Sequence, residues 1–113
     1  MAVDKSLISG STTLLILSLL EEKDMYGYEM IDTLKGKPNN VFELKAGTLY
    51  PLLHSMEEKG WLTVYEQETG GKMRKYYRIT RDGKKQYQAK KKEWKEYSEA
   101  ILQVIGGVCF GTA

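Results

Sequence analysis

KAGTLYPLLHSMEEKG, spanning Lys45 to Gly60, winds into a helix with two unlike faces. Leu49, Leu52, Leu53 and Met56 follow the i, i+3, i+4, i+7 spacing of one buried stripe, about 100° of turn per residue. The other side carries Gly47, Tyr50, Pro51, His54 and Glu58, a set of small, aromatic and hydrogen-bonding groups. Pro51 has no N–H and disfavours a helical residue before it. Either the helix effectively starts near Thr48 or its first turn is bent.

After the stop at Gly60 the pattern changes to one of strands. Trp61 to Glu68 alternates Leu62, Val64, Glu66 and Glu68 on one face with Trp61, Thr63, Tyr65 and Gln67 on the other. Thr69, Gly70, Gly71 and Lys72 supply a turn, and Met73 to Ile79, MRKYYRI, completes an antiparallel hairpin with a basic, glycine-rich tip. Tyr76 and Tyr77 must divide between the two faces. Arg78 falls where alternation turns it toward the body of the domain.

Thr80 has the chemistry of an N-cap, and Asp82 sits in the first turn, where the helix dipole favours a carboxylate. From there to about Ile105 the chain predicts one helix of roughly 26 residues, ~39 Å long. Tyr87, Trp94, Ile101 and Val108 recur every seventh residue, with Tyr97 and Val104 between them, which is a heptad seam. One helix projecting from a small core cannot bury that stripe alone, so a second copy of the chain is the expected partner. Gly106, Gly107 and Gly111 stop or fray the helix near Ile105.

Upstream, a first helix is expected from about Lys5 to Glu22, apolar almost all round in its second half from Leu14 to Leu20. Burial on more than one side again points to a partner subunit. Lys23 and Asp24 make a break, and Tyr26 to Lys35 reads as a shorter helix with Met30, Ile31 and Leu34 inward. Gly36, Pro38, Asn39 and Asn40 form a loop, pinned to the core by Val41, Phe42 and Leu44.

Composition narrows the function. A chain of 113 residues with 42% hydrophobic residues fits one modest core with an extension. A single cysteine, Cys109, excludes an internal disulfide framework. The apolar run at Leu14 to Leu20 is too short for a membrane span and has no cleavage site after it, so a cytoplasmic protein is expected. The net charge of +2 hides an asymmetry. Lys72 to Lys95 holds eleven basic residues against two acidic ones, a local +9, and the remainder carries −7. A clustered basic face can meet phosphates, although Lys84 to Lys95 alone also fits a solvated helix surface. One His and one Cys, far apart, give no metal-ligand spacing, and neither a phosphate loop nor a nucleophile elbow is present. Enzyme chemistry, a metal and a cofactor are therefore not expected.

Three helices followed by a basic hairpin is the order of a winged helix-turn-helix, an α+β, mainly α fold. The run GTLYPLLHSMEEKGWL at Gly47 to Leu62, then GGKMRKYYRIT at Gly70 to Thr80 with Gly83 three residues on, resembles the PadR family of bacterial transcriptional regulators. The likeness covers nearly the whole chain. With nothing but one helix after Thr80 it resembles the short subfamily, in which that helix serves for dimerisation. The resemblance implies a DNA-binding domain at 1–79, a dimerisation helix and tail at 80–113, and a homodimeric regulator, expected to be a repressor. It also implies that Trp94 lies at the dimer centre, where some members hold a planar aromatic effector, with Leu14, Ser18 and Tyr97 as neighbours. A tryptophan that only seals the seam fits the spacing as well.

A recognition helix enters the major groove by its N-terminal end. Lys45, Thr48, Tyr50 and His54 meet that requirement on the Lys45 to Gly60 helix, and Glu57 and Glu58 mark the end that would repel phosphate. Lys45 and Tyr50 suit phosphates better than base edges. His54 can donate or accept, or it can be an ordinary exposed residue. Lys72, Arg74 and Lys75 would flank a minor groove or its phosphates. The expected dimer interface comprises Leu14, Leu17, Tyr87, Trp94, Tyr97, Ile101 and Val104. The expected partners are a near-palindromic DNA operator and a second copy of the chain, with a winged-helix interaction or small-molecule scaffold as the alternative.

Overall fold

The computed structural model describes residues 11–36 and 44–106. Expectations about Lys5, Val41, Phe42 and Val108 lie outside the described residues. In chain order the elements are α1 (Thr12–Glu22), β1 (Met25–Tyr26), α2 (Gly27–Lys35), α3 (Ala46–Glu58), β2 (Leu62–Thr69), β3 (Lys72–Ile79) and α4 (Arg81–Val104). This is a mainly helical α+β architecture with a small antiparallel sheet.

The stripe on α3 is buried as its spacing requires. Leu49, Leu53 and Met56 are in the core and Leu52 packs at its edge. Around them close Ile16, Leu17, Leu19 and Leu20 of α1, Met30 and Leu34 of α2, Leu62 of β2, and Tyr77 and Ile79 of β3. At roughly 1.5–3 kcal/mol for each fully buried large side chain, this cluster is the main stabilising term.

One expectation about α1 is corrected here. Leu17 is 0% exposed within the single chain, so it is a core residue and offers nothing to a second copy. The reason is that α1 is covered by its own chain, packing against β3 and α4. Leu14 and Ser18 are half-buried on the same helix.

Pro51 neither delays nor displaces the start of α3. The helix begins at Ala46, where the N–H groups of Thr48 and Leu49 both reach the Lys45 carbonyl, at 3.0 and 2.9 Å. Pro51 lies inside, so it is the exposed Gly47 carbonyl that loses its i+4 donor. At the other end Gly60 adopts φ +81°, and the Trp61 N–H returns to the Met56 carbonyl at 2.9 Å.

β2 and β3 pair from Leu62↔Ile79 to Thr69↔Lys72 around Gly70 and Gly71, whose φ values of +62° and +81° match the primed hairpin turn that Gly-Gly favours. The sheet has a third strand that the hairpin pattern did not announce. Met25 and Tyr26 pair antiparallel with Tyr77 and Tyr76, giving the order β1-β3-β2 and tying the wing to the α1–α2 connection.

Thr80 caps α4 as expected, accepting the Gly83 N–H at 3.0 Å. Its hydroxyl donates to the Gly60 carbonyl at 2.7 Å, and its own N–H reaches the Trp61 carbonyl at 2.9 Å. The end of α3 and the start of α4 are thus stitched together. The 24 residues of α4 span about 36 Å, longer than the core beneath them, in a molecule 55 Å in its largest dimension. No described helix is long and apolar enough to cross a membrane.

Candidate nucleic-acid interface

The outward side of α3 is built by its own periodicity. With Leu49, Leu53 and Met56 inward, Lys45, Gly47, Thr48, Tyr50, Pro51 and His54 are all exposed. His54 Nε2 lies 3.8 Å from Glu58 Oε2 in an i,i+4 pair with both groups open to solvent. Glu57 and Glu58 close the C-terminal end with negative charge.

Tyr50 is the most constrained of these residues. It is 39% exposed, and its ring meets Tyr28 edge-on at 6.4 Å between centroids. Partial burial pushes its phenol above the ordinary 10.0. A cleft of about 330 Å³ separates the first turn of α2 from the wing, and Tyr50, Lys75 and Arg74 line it together with Met73 and Tyr77. The structure therefore brings part of the expected set into one place. Tyr50 and Lys75 share this cleft, His54 stands one turn further along α3, and Lys45 and Thr48 lie at the helix start.

Lys72 and Lys75 project from the wing, but Arg74 does not. Its guanidinium lies 4.4 Å over the Tyr26 ring, half-buried, with Nε shielded from solvent and without a partner among the described residues. Strand alternation puts Arg74 on the outer face of the sheet, with Tyr76 and Arg78. There Tyr26 meets Tyr76 edge-on at 5.4 Å, and Tyr76 stacks on Tyr65 at 5.6 Å. Tyr77 takes the inner face and is buried. Arg78, expected to turn toward the body, instead faces outward over Tyr65 at 5.0 Å.

Asp24, read from the sequence only as part of a break, is the anchor of this outer face. Its Oδ2 accepts the Tyr65 hydroxyl at 2.7 Å and the Arg78 Nε–H at 3.1 Å. The bond to Asp24 raises the Tyr65 phenol above 10.0, and the same carboxylate raises the Arg78 guanidinium above its ordinary value. Beside it, Lys23 Nζ pairs with Glu29 at 2.9 Å, and Glu29 also accepts the Tyr26 N–H at 3.4 Å. No spacing rule links Asp24 to Tyr65 and Arg78, and only the folded wing brings them together.

The seam on α4 divides. Tyr87 packs against the core of its own chain, whereas Trp94, Tyr97, Ile101 and Val104 are exposed, Trp94 by 43% and Val104 by 85%. Trp94 and Tyr97 rings stand 6.2 Å apart. A shallow apolar hollow of about 250 Å³ lies beyond Trp94, between Tyr97, Ala100, Ile101, Val104 and Ile105. Among the described residues there is no group of three or more His, Cys, Asp or Glu that could hold a metal ion.

The model of the "Transcriptional regulator PadR-like family" matches residues 16–89, from the core of α1 through the wing into α4. The chain belongs to the PadR-like family of transcriptional regulators. A regulator from Clostridium thermocellum superposes with a TM-score of 0.82 at 35% identity, covering 89% of this chain and 96% of that one. A PadR family transcription regulator from Clostridium difficile gives 0.76 at 36% identity, covering 85% and 99%. The Escherichia coli transcriptional regulator YqjI is 31% identical over 104 residues, 92% of this chain but only 47% of YqjI. These PadR-like relatives are regulators rather than enzymes, and membership implies regulation through DNA binding.

Proposed function

We propose that the protein is a homodimeric, sequence-specific repressor that binds double-stranded DNA, with α3 in the major groove and Lys72 and Lys75 of the wing against the phosphates. The cleft shared by Tyr50 and Lys75 carries this reading, because it sets the outer side of α3 and a projecting wing cation on the same side of the molecule. The chain then divides by role at Thr80, residues 1–79 meeting DNA and 80–113 meeting a second copy. Trp94, Tyr97, Ile101 and Val104 supply an exposed apolar line for that contact. Two recognition helices would address half-sites about one helical turn, ~34 Å, apart on a near-palindrome.

The test is anisotropy with the duplex upstream of the protein's own gene at rising salt. Binding is expected to exceed that to random duplex and to weaken steeply with salt. Equal affinity for both duplexes refutes the reading. Ile101→Glu with Val104→Glu is expected to give a monomer in sedimentation and to abolish tight operator binding.

A planar aromatic effector beside Trp94 is the regulatory part of the proposal, supported by the exposed Trp94–Tyr97 pair. It acts only if it binds one spacing of the two α3 helices better than another. The same pair favours a second reading, a small-molecule scaffold with weak DNA affinity. Quenching of Trp94 by planar drugs without any change in DNA binding would select it, with Trp94→Ala as the control for Trp61.

A further inference from the structure

Gly27 opens α2 at a position where its backbone has no need of glycine, since its φ is not in the left-handed region. What requires glycine is space. A Cβ built there would lie 2.6 Å from Tyr50 Cζ and 2.9 Å from Cε1, and closer still to the hydroxyl. The phenol of Tyr50 rests directly on the bare backbone of the first turn of α2.

We infer that Gly27 is a positioning residue for DNA binding, acting through Tyr50. The inference rests on the reading that the outer side of α3 meets DNA. The three atoms nearest to a methyl at residue 27 all belong to the free end of one rotatable side chain. Tyr50 can therefore yield without any backbone movement, and its half-exposed ring has the adjoining cleft of about 330 Å³ to turn into. Restoring ordinary contact at 3.4 Å moves the ring by about 1 Å, enough to take its hydroxyl out of hydrogen-bond range of a fixed acceptor. Gly83 is the opposite case, because there the obstruction is the Trp61 backbone.

The experiment compares wild type, Gly27→Ala, Tyr50→Ala and the double variant, measuring thermal unfolding and affinity for the upstream and random duplexes at several salt concentrations. Gly27→Ala is expected to keep its melting temperature and to bind the upstream duplex about tenfold more weakly, the loss of one hydrogen bond to a charged group. The double variant is expected to bind no more weakly than Tyr50→Ala alone, and all four should share one salt slope, since no charge is removed. Wild-type affinity in Gly27→Ala, the same penalty in the Tyr50→Ala background, or loss of the fold in Gly27→Ala would each overturn the inference. Wild type binding both duplexes equally would instead defeat the DNA reading, and the inference with it.

Discussion

Replacing Gly83 by alanine tests the junction on which the orientation of α4 depends. Gly83 is buried in the first turn of α4, and an added Cβ would lie 2.7 Å from Ile79 Cγ1 and 3.1 Å from the Trp61 carbonyl carbon, with the carbonyl oxygen nearer still. Trp61 cannot swing aside as a side chain would, because its carbonyl accepts the Thr80 N–H at 2.9 Å and its own N–H is held by Met56 at 2.9 Å. Overpacking of this kind costs about 1–3 kcal/mol. Moving α4 away also strains the Thr80 bonds to the Gly60 and Trp61 carbonyls, each worth about 1 kcal/mol. Against this, alanine gains about 1 kcal/mol in helix propensity. The net loss is about 2–4 kcal/mol, and at roughly 4–8 °C per kcal/mol the melting temperature should fall by about 10–30 °C. Circular dichroism melts at matched protein concentration read this directly, matched because the melting point of the proposed dimer would depend on concentration. A Gly83→Ala protein as stable as wild type, or more stable as propensity alone would make it, refutes the reasoning.

Other outcomes follow from the same structure. Leu17→Ala leaves a cavity in the core of the single chain and should cost about 2–5 kcal/mol in urea unfolding, where an interface leucine would mainly shift the monomer–dimer balance. Lys75→Gln should lower the magnitude of the logarithmic salt slope of operator binding by about one unit, and an unchanged slope would remove Lys75 from the phosphate contacts. Burial raises the Tyr77 phenol above 10.0 in the fold, so between that value and its folded pKa the native state holds the proton that the unfolded chain has lost. Stability from this group is complete below pH 10 and declines above it, and Tyr77→Phe should flatten part of that decline in alkaline melts.

How far the sequence spoke depended on whether a feature was periodic or a meeting of distant residues. The α3 stripe, the Gly70–Gly71 turn and the Thr80 cap each announce themselves within a few residues, since helical period, positive φ and capping are local physics. Leu17 could not be assigned that way. An all-round apolar helix demands cover on two sides, but not whether the cover is α4 of the same chain or a second copy. β1 is two residues long, too short for alternation to show. Asp24 gains its role from Tyr65 and Arg78, 41 and 54 residues away. Arg74 shares the phase of Tyr76 and Arg78, but alternation alone leaves open which face of the hairpin lies outward, and it is the burial of Tyr77 that decides it.

The junction at Thr80 also bears on how a seam so far from α3 could govern it. Two hydrogen bonds join the two helices, from the Thr80 N–H to the Trp61 carbonyl and from the Thr80 hydroxyl to the Gly60 carbonyl, while the Trp61 N–H bond to Met56 and the Gly83 N–H bond to Thr80 close the helix end on either side. Gly83 lets the backbones approach so closely that nothing between them can bend. A reorientation of α4 in the proposed dimer would reach α3 as movement of a rigid body, with no linker to absorb it. A tenfold change in operator affinity then needs only about 1.4 kcal/mol of difference between the two spacings in their affinity for an effector. The wing travels with the same body, since β3 runs directly into Thr80 and is held by Asp24 through Arg78. Cutting the Asp24 contact should therefore loosen the wing without loosening α3, which separates the two halves of the proposed DNA interface in a way that no change on the seam can.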